Sequence, residues 1–284
     1  RGHFLNWYDT RTLQPLPPLY VSTVDSGNLA ACLRILGQGC HEVSDTSVIR
    51  RERWRGLLDT LGLLDETVSA VSKSGAGEPI KGLHQLQTAI KQARNLIRAT
   101  ENRPTRWIAT LDELSDNRLP ELRRLVTALA TSHAQTVDAE ALHRLRLTLD
   151  RLRSHCEQMR SDIEDLLPWA TAFEEPPQLF LNGHGSLRPT NYHHTLLMAQ
   201  AAREWRSLRG ALPIAPKLSE LRDLYAIGQA RLADLQRTLT ELPDDDAGEA
   251  RAWCAALAER IQAATTKAQA LLAEYRELEL SCER

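Results

Sequence analysis

The feature that most constrains the fold is a set of apolar residues spaced alternately three and four positions apart over long stretches of chain. Four such series occupy residues 83–97, 142–166, 218–242 and 257–282. This spacing puts apolar side chains on one narrow stripe of an α-helix, which packs against neighbouring helices at a shallow angle. The sequence therefore predicts an all-α fold, built as a long antiparallel helical bundle or as helical hairpins. A self-associating coiled coil is less favoured, because the chain supplies its own partner helices.

Stretches rich in proline and glycine predict where these helices stop. The predicted breaks lie at residues 74–79, 102–104, 168–189, 213–216 and 243–246. The longest of them is predicted to be irregular and contains the adjacent carboxylates Glu174 and Glu175, and further on His184 between two glycines. Neighbouring side chains usually diverge, so the two glutamates are predicted to lie in a solvated loop.

The N-terminal part of the chain differs in composition from the rest. Aromatic residues and prolines crowd its first twenty positions, which disfavours a helix there. Residues 25–28 (Asp-Ser-Gly-Asn) offer N-cap side chains for a helix that follows, and Gly39 is predicted to end that helix. The chain is therefore divided into a segment of residues 1–43 and a helical region of residues 44–284. The segment is predicted to stay outside the core of the bundle.

Charge and apolar patterning exclude several classes of function. Lys and Arg total 35 and Asp and Glu total 37, so no basic excess is available to neutralise a nucleic-acid backbone. No apolar run approaches the ~20 residues that a membrane span requires, so no span is predicted within this chain. The chain starts with Arg1 rather than methionine, and we expect it to be part of a longer protein.

Cysteine, histidine and glycine spacings predict no metal site and no cofactor. Five cysteines occur without a CxxC pair, and Cys156 and Cys254 fall on apolar stripes, where they are predicted to be buried and reduced. His193 and His194 are adjacent, which is not the spacing of a helical metal pair. His155 is predicted to lie at the surface. No glycine-rich phosphate loop and no serine-hydrolase elbow is present.

The N-terminal segment carries the residue types that recognise sugars. Trp7 and Tyr8 offer flat faces for the apolar side of a pyranose ring. Side chains that hold pairs of hydroxyls are supplied by Asn6, Asp9, Asp25 and Asn28. The alternative interpretation is a hydrophobic plug with Asp9 and Asp25 as turn and cap residues.

One continuous string gives this segment a family resemblance. Residues 3–30 read HFLNWYDTRTLQPLPPLYVSTVDSGNLA. The string resembles a stretch of bacterial cyclic β-1,2-glucan synthases that reads approximately GHFxNWYDTxxLxPLxPxYVSxVDSGNLA. It includes the rare words NWYDT and VDSGN, and it covers about a tenth of the chain. The helical region that follows resembles, mainly in composition, the variable helical stretch after this motif in the family.

The resemblance implies an architecture and an activity for a parent protein. These synthases are large proteins of the bacterial inner membrane that use UDP-glucose. Their glycoamylase-like middle domain is an (α/α)6 barrel associated with ring closure of β-1,2-glucan by retaining transglycosylation. Retention needs two carboxyl groups about 5–5.5 Å apart. The resemblance implies that these glutamates belong to later motifs beyond residue 284, so no catalytic residue is assigned here and the isolated chain is expected to be inactive.

The resemblance also implies a role for the segment and a location for the parent. It implies substrate binding by Trp7, Tyr8, Asp9, Asp25 and Asn28, with the β-1,2-glucan chain and the remaining domains of the parent as partners. The parent is expected at the cytoplasmic face of the inner membrane.

Two alternatives stay open. The chain is also compatible with a non-catalytic helical scaffold, and with the opening segment of a β-glucan hydrolase barrel. A catalytic role for Asp9 and Asp25 themselves is disfavoured by the family pattern and by the cap role open to Asp25.

Overall fold

The structure, a computed structural model, describes residues 4–74, 82–132, 137–182 and 192–283. Its α-helices are α1 (Thr23–Ser44), α2 (Arg51–Ser74), α3 (Leu83–Thr100), α4 (Trp107–Glu113), α5 (Leu119–Ser132), α6 (Ala139–Leu166), α7 (Pro168–Ala172), α8 (Gln178–Asn182), α9 (Tyr192–Ala211), α10 (Leu221–Thr240) and α11 (Asp244–Glu283). Single turns of 3-10 helix occur at Pro104–Arg106 and Leu218–Glu220, and a π-helical turn lies at Leu114–Arg118. The described ranges contain isolated β-bridges and no β-strand, which confirms the all-α class.

The four apolar series predicted from the sequence correspond to α3, α6, α10 with its preceding 3-10 turn, and α11. Most of their apolar positions are buried: Ile97 in α3, Cys156 in α6, Leu235 in α10 and Ile261 in α11 are all fully inaccessible. An exception is the end of the α11 series, where Leu278 is exposed. Within the described ranges, the contiguous core begins at Ile49, and Val43 packs at its margin.

Ion pairs give the directions of the helices around α2. Arg51 at the start of α2 lies 3.4 Å from Glu101 at the end of α3, so these two helices are antiparallel. Arg53 pairs with Asp162 near the end of α6, which makes α2 and α6 antiparallel as well. Together with α4 and α5, these helices form one half of the bundle.

The other half of the bundle consists of α9, α10 and α11. The Gln229 side chain of α10 donates to Gln262 of α11 at 2.8 Å, and Arg251 near the start of α11 reaches the carbonyl of Leu239 near the end of α10. These two helices are therefore antiparallel. Helix α11 also packs on α6 and α7 and so joins the two halves. No helix in the described ranges combines the length and the apolarity needed to cross a membrane.

The region that was predicted to be irregular after Pro168 contains two short helices, so that prediction was wrong over residues 168–172 and 178–182 and is confirmed for the turn at residues 173–177. Pro168 begins α7, a first-turn position that suits its fixed backbone. Trp169 follows, is fully buried, and donates its indole N–H to the Pro213 carbonyl at 2.9 Å. The predicted break at residues 75–79 and the glycine-flanked His184 lie outside the described residues.

Helix α1 starts earlier and ends later than predicted. Its N-cap is Ser22, whose side chain accepts the Asp25 N–H, so Asp25 lies in the first turn and Asn28 lies within the helix. Gly39 does not end the helix, which continues to Ser44 and packs against α11. At Gly37 an added Cβ would lie 3.3 Å from the Cys282 side chain, so a glycine permits the close approach of the two helices.

Candidate functional site

Residues 5–21 form a hairpin-like loop that carries the predicted aromatic sugar-binding residues. Antiparallel bridges join Leu5 to Val21 and Tyr8 to Pro15. The Leu16 N–H donates to the Trp7 carbonyl at 2.9 Å, and Asp9 and Gln14 are joined by a similar bond. Backbone hydrogen bonds, rather than buried side chains, therefore set the shape of the loop.

Asp9 stabilises the tip of this loop. Its Oδ1 accepts the backbone N–H groups of Arg11 and Thr12, each at 2.8 Å. Hydrogen bonds from Thr12 and Arg11 hold the pKa of the Asp9 carboxyl below its usual value, because they favour the charged form. Asp9 thus has the turn role that the sequence allowed for it.

Two serines fasten the loop to the start of α1. The Ser22 N–H donates to Asn6 Oδ1 at 3.2 Å while its side chain caps the helix. Ser26 is buried; its Oγ accepts the Phe4 N–H at 3.3 Å and lies 3.4 Å from the Phe4 carbonyl as a donor. The aromatic loop and the first turns of α1 are therefore one structural unit.

The five predicted substrate-binding residues occupy the surface of this unit. Trp7 is 57% exposed and Tyr8 is 40% exposed, with the Tyr8 hydroxyl accepting the Leu5 N–H at 3.1 Å. Asp25 and Asn28 are exposed on the first turns of α1. Among the described residues, no hydrogen bond joins Trp7, Tyr8 or Asp9 to Asp25 or Asn28.

Exposed apolar side chains are concentrated in the same part of the chain. More than half of the exposed large apolar residues in the described ranges lie between Phe4 and Leu36. A groove of about 1200 Å³ runs beside the contact between α1 and the end of α11, with Phe4, Leu33 and Cys282 among its walls. None of the five predicted residues lines this groove.

Sequence reasoning missed a second groove, because its walls come from distant parts of the chain. Asp112 of α4, Arg160 of α6 and Arg260 of α11 line it together with Glu174 and Glu175. Glu174 and Glu175 are exposed in a turn, which confirms the predicted solvated loop, but they do not diverge, since both line the same groove. No sequence signal for this groove exists beyond the adjacency of the two glutamates.

The remaining candidates have structural roles. His194 Nε2 lies 2.9 Å from Asp246 Oδ2, which links the starts of α9 and α11. Cys156 and Cys254 are fully buried, as predicted, and burial raises the pKa of each thiol to about 12. His155, predicted at the surface, is half-buried with its ring against Gly56. Within the described ranges, no group of three or more potential ligand residues could hold a metal ion.

Comparison with known proteins gives one informative similarity. No protein-family model matches the chain, and no solved structure matches it significantly. The cyclic beta-(1,2)-glucan synthase NdvB of Rhizobium meliloti (strain 1021) is 38% identical over 103 residues. The match covers 36% of this chain and 3% of the relative, so the chain corresponds to a small part of that protein. Over that part, the chain is similar to a cyclic β-glucan synthase.

Proposed function

We propose that this chain is a segment of a cyclic β-1,2-glucan synthase, from the region that closes the glucan ring by retaining transglycosylation. The motif string of residues 3–30 and the partial similarity to NdvB support this proposal. On this proposal, ring closure is an activity of the whole parent and not of the isolated chain, which matches only 3% of NdvB. On this proposal the parent acts at the cytoplasmic face of the bacterial inner membrane.

In this proposal the N-terminal unit, which is the loop of residues 5–21 together with the first turns of α1, contacts the glucan. Trp7 and Tyr8 stack on glucosyl rings, and Asp9, Asp25 and Asn28 accept or donate hydrogen bonds to sugar hydroxyls. The observation that carries the proposal is the exposure of Trp7 on a loop whose shape is already fixed by hydrogen bonds. Such a loop presents an aromatic face at a reduced ordering cost on binding. The other exposed apolar residues of the unit are covered by the remaining domains of the parent.

None of these residues is proposed to transfer a proton or form a covalent bond. A retaining mechanism needs one carboxyl group that is protonated before it acts as the general acid. The Asp9 carboxyl accepts the backbone N–H groups of Arg11 and Thr12, and its pKa is lowered. This environment favours the ionised form and not the protonated form that a general acid needs. It therefore argues against Asp9 as the general acid, and the family resemblance implies that the catalytic pair belongs to later motifs of the parent.

The helical region is proposed to be an insertion in the parent domain. Helix α11 returns antiparallel to α1, with His41 Nδ1 3.2 Å from Glu279 Oε1 and Gly37 beside Cys282. The last turns of α11 therefore lie beside α1, and an inserted domain requires such a return to its point of entry. A purely scaffolding role for this region is the second candidate, and its own continuous core favours it.

Substitutions in the complete parent test the proposal. Trp7→Ala and Asp25→Ala should each slow cyclisation by roughly ten- to a few hundred-fold, the effect of losing one buried sugar contact, with the fold unchanged. Asp150→Ala, at an exposed position of α6, is the matched control and should cyclise normally. Normal cyclisation by both site variants would refute glucan contact. Complete loss of turnover in a folded Asp25→Asn variant would instead make Asp25 a catalytic residue.

A further inference from the structure

A groove on the side of the bundle has the size of a ligand site. It lies between α4, the end of α6, the turn after α7, and α11, and has a volume of about 420 Å³. A hollow of about 240 Å³ adjoins it, and Thr171, Glu175 and Arg260 line both. Together they fall in the range of roughly 300–1,000 Å³ that small-molecule sites occupy.

One wall of the groove is fixed by ion pairs, whereas the facing groups keep free hydrogen-bonding capacity. Arg160 is held by Asp112 at 3.0 Å and by Glu164 at 2.9 Å. Arg260 donates to the Thr171 hydroxyl at 2.7 Å. Among the described residues, neither Arg260 nor Glu175 takes part in an ion pair, although both line the groove. A guanidinium and a carboxylate are thus available to a ligand.

The adjoining hollow adds a flat aromatic surface. Trp253 lines it and is half-buried. Phe173 stacks on the indole with ring centroids 6.3 Å apart and planes 21° apart, and Phe180 meets it edge-on at 5.5 Å. The indole is therefore held in one orientation before any ligand arrives.

These groups match the chemistry of a neutral carbohydrate. A flat aromatic ring receives the apolar face of a pyranose, while carboxylates and a guanidinium hold neighbouring hydroxyls. Four carboxylates against two arginines line the groove, which disfavours phosphates and nucleic acids. Burial, together with the Asp112 and Glu175 carboxylates, raises the pKa of the Glu174 carboxyl, and its oxygens can accept hydrogen bonds from sugar hydroxyls.

We propose that this groove binds a neutral oligosaccharide, at a site separate from the N-terminal unit. The identity of the sugar, a β-1,2-linked glucan, rests on the proposed function. The groove would then hold part of the growing chain on the helical region, away from the place where the ring is closed.

Isothermal titration of the intact 284-residue chain with short linear β-1,2-glucan tests the inference. Arg260→Ala and Glu175→Gln should each weaken binding at least about fivefold, the loss expected for a hydrogen bond to a charged group. The conservative Glu175→Gln variant removes the charge with little change of shape, so it guards against misfolding of Arg260→Ala. Arg237→Ala, at an exposed position of α10, is the matched control and should bind unchanged. A linear maltooligosaccharide, titrated in the same way, is the control for the type of linkage between the glucosyl units.

Other results would overturn the inference. They are the absence of glucan binding, binding that both groove variants leave unchanged, or binding of an oligolysine peptide in preference to the glucan. If Trp7→Ala weakens binding and the groove variants do not, glucan binds only the N-terminal unit, so the groove fails while the proposed function stands. If the groove variants weaken binding while Trp7→Ala and Asp25→Ala parents cyclise normally, the groove stands and the proposed role of the N-terminal unit fails.

Discussion

Two tryptophans show how differently the two regions of this chain are stabilised. Trp7 in the N-terminal loop is 57% exposed, whereas Trp169 in α7 is fully buried, contacts Tyr225 edge-on with ring centroids 5.9 Å apart, and donates to the Pro213 carbonyl. The loop keeps its shape through backbone hydrogen bonds and the Asp9 turn. Hydrogen bonds hold the loop, and this leaves its apolar side chains available for contacts outside the chain.

Helix α1 belongs to both regions. Its first turns carry the loop through Ser22 and Ser26, and its second half packs on α11 at Gly37. Its outer face leaves Val24 and Ile35 exposed. The helix therefore connects a surface unit to a stable bundle, which is the arrangement expected of a recognition element on a scaffold.

The largest expected effect is a difference in stability between two tryptophan substitutions. Trp169→Ala should lower the free energy of unfolding by about 3–5 kcal/mol, because it leaves a large cavity and an unpaired Pro213 carbonyl. Trp7→Ala should lower it by less than about 0.5 kcal/mol, as for exposed residues generally. Urea unfolding followed by circular dichroism measures both. Equal destabilisation by the two substitutions would show that the loop belongs to the core.

A smaller expected effect is a difference between the two regions in how their contributions to stability depend on pH. Burial, and then the nearby Arg53, lower the pKa of His155 from its ordinary value of 6.5. The unfolded chain therefore binds a proton at this histidine that the folded chain resists. The associated stability is complete above about pH 6.5 and declines as the pH falls below it. Asp9 also has a lowered pKa, but its contribution is lost only below its ordinary value of 3.8.

The variant His155→Gln tests this separation. Between about pH 7.5 and pH 5.5, the free energy of unfolding of this variant should fall less than that of the unsubstituted chain, because the titrating ring is absent. Asp9→Asn, the control in the loop, should leave the decline over this range unchanged. An identical decline in the His155→Gln variant and the unsubstituted chain would mean that His155 makes no contribution to the pH dependence of stability.

Local patterns predicted most of the fold, and contacts between distant residues account for what they missed. The alternating spacing of apolar residues located α3, α6, α10 and α11, because each apolar stripe is a property of one helix. It could not place Trp169 or Phe180, since partners far along the chain bury them, namely Pro213 and Trp205. The short helices α7 and α8 were missed for this reason.

The candidate sites show the same division. The Asx-type turn of Asp9 was visible in the sequence because its partners are two and three residues away. The true start of α1 was missed because Ser22 was a less conspicuous cap than residues 25–28. The groove around Glu175 was invisible, since Asp112, Arg160 and Arg260 reach it from three separate helices.

Hydrogen–deuterium exchange of the intact chain, read by mass spectrometry, tests the central contrast most directly. In this chain a stable bundle carries a surface unit whose local stability is lower. Amides of α3 and α6 should therefore exchange slowest, through global unfolding, and residues 5–21 should exchange about a hundredfold faster or more through local opening. Helix α1 should lie between them. Protection of residues 5–21 equal to that of α6 would contradict the account, because the loop would then unfold only together with the bundle.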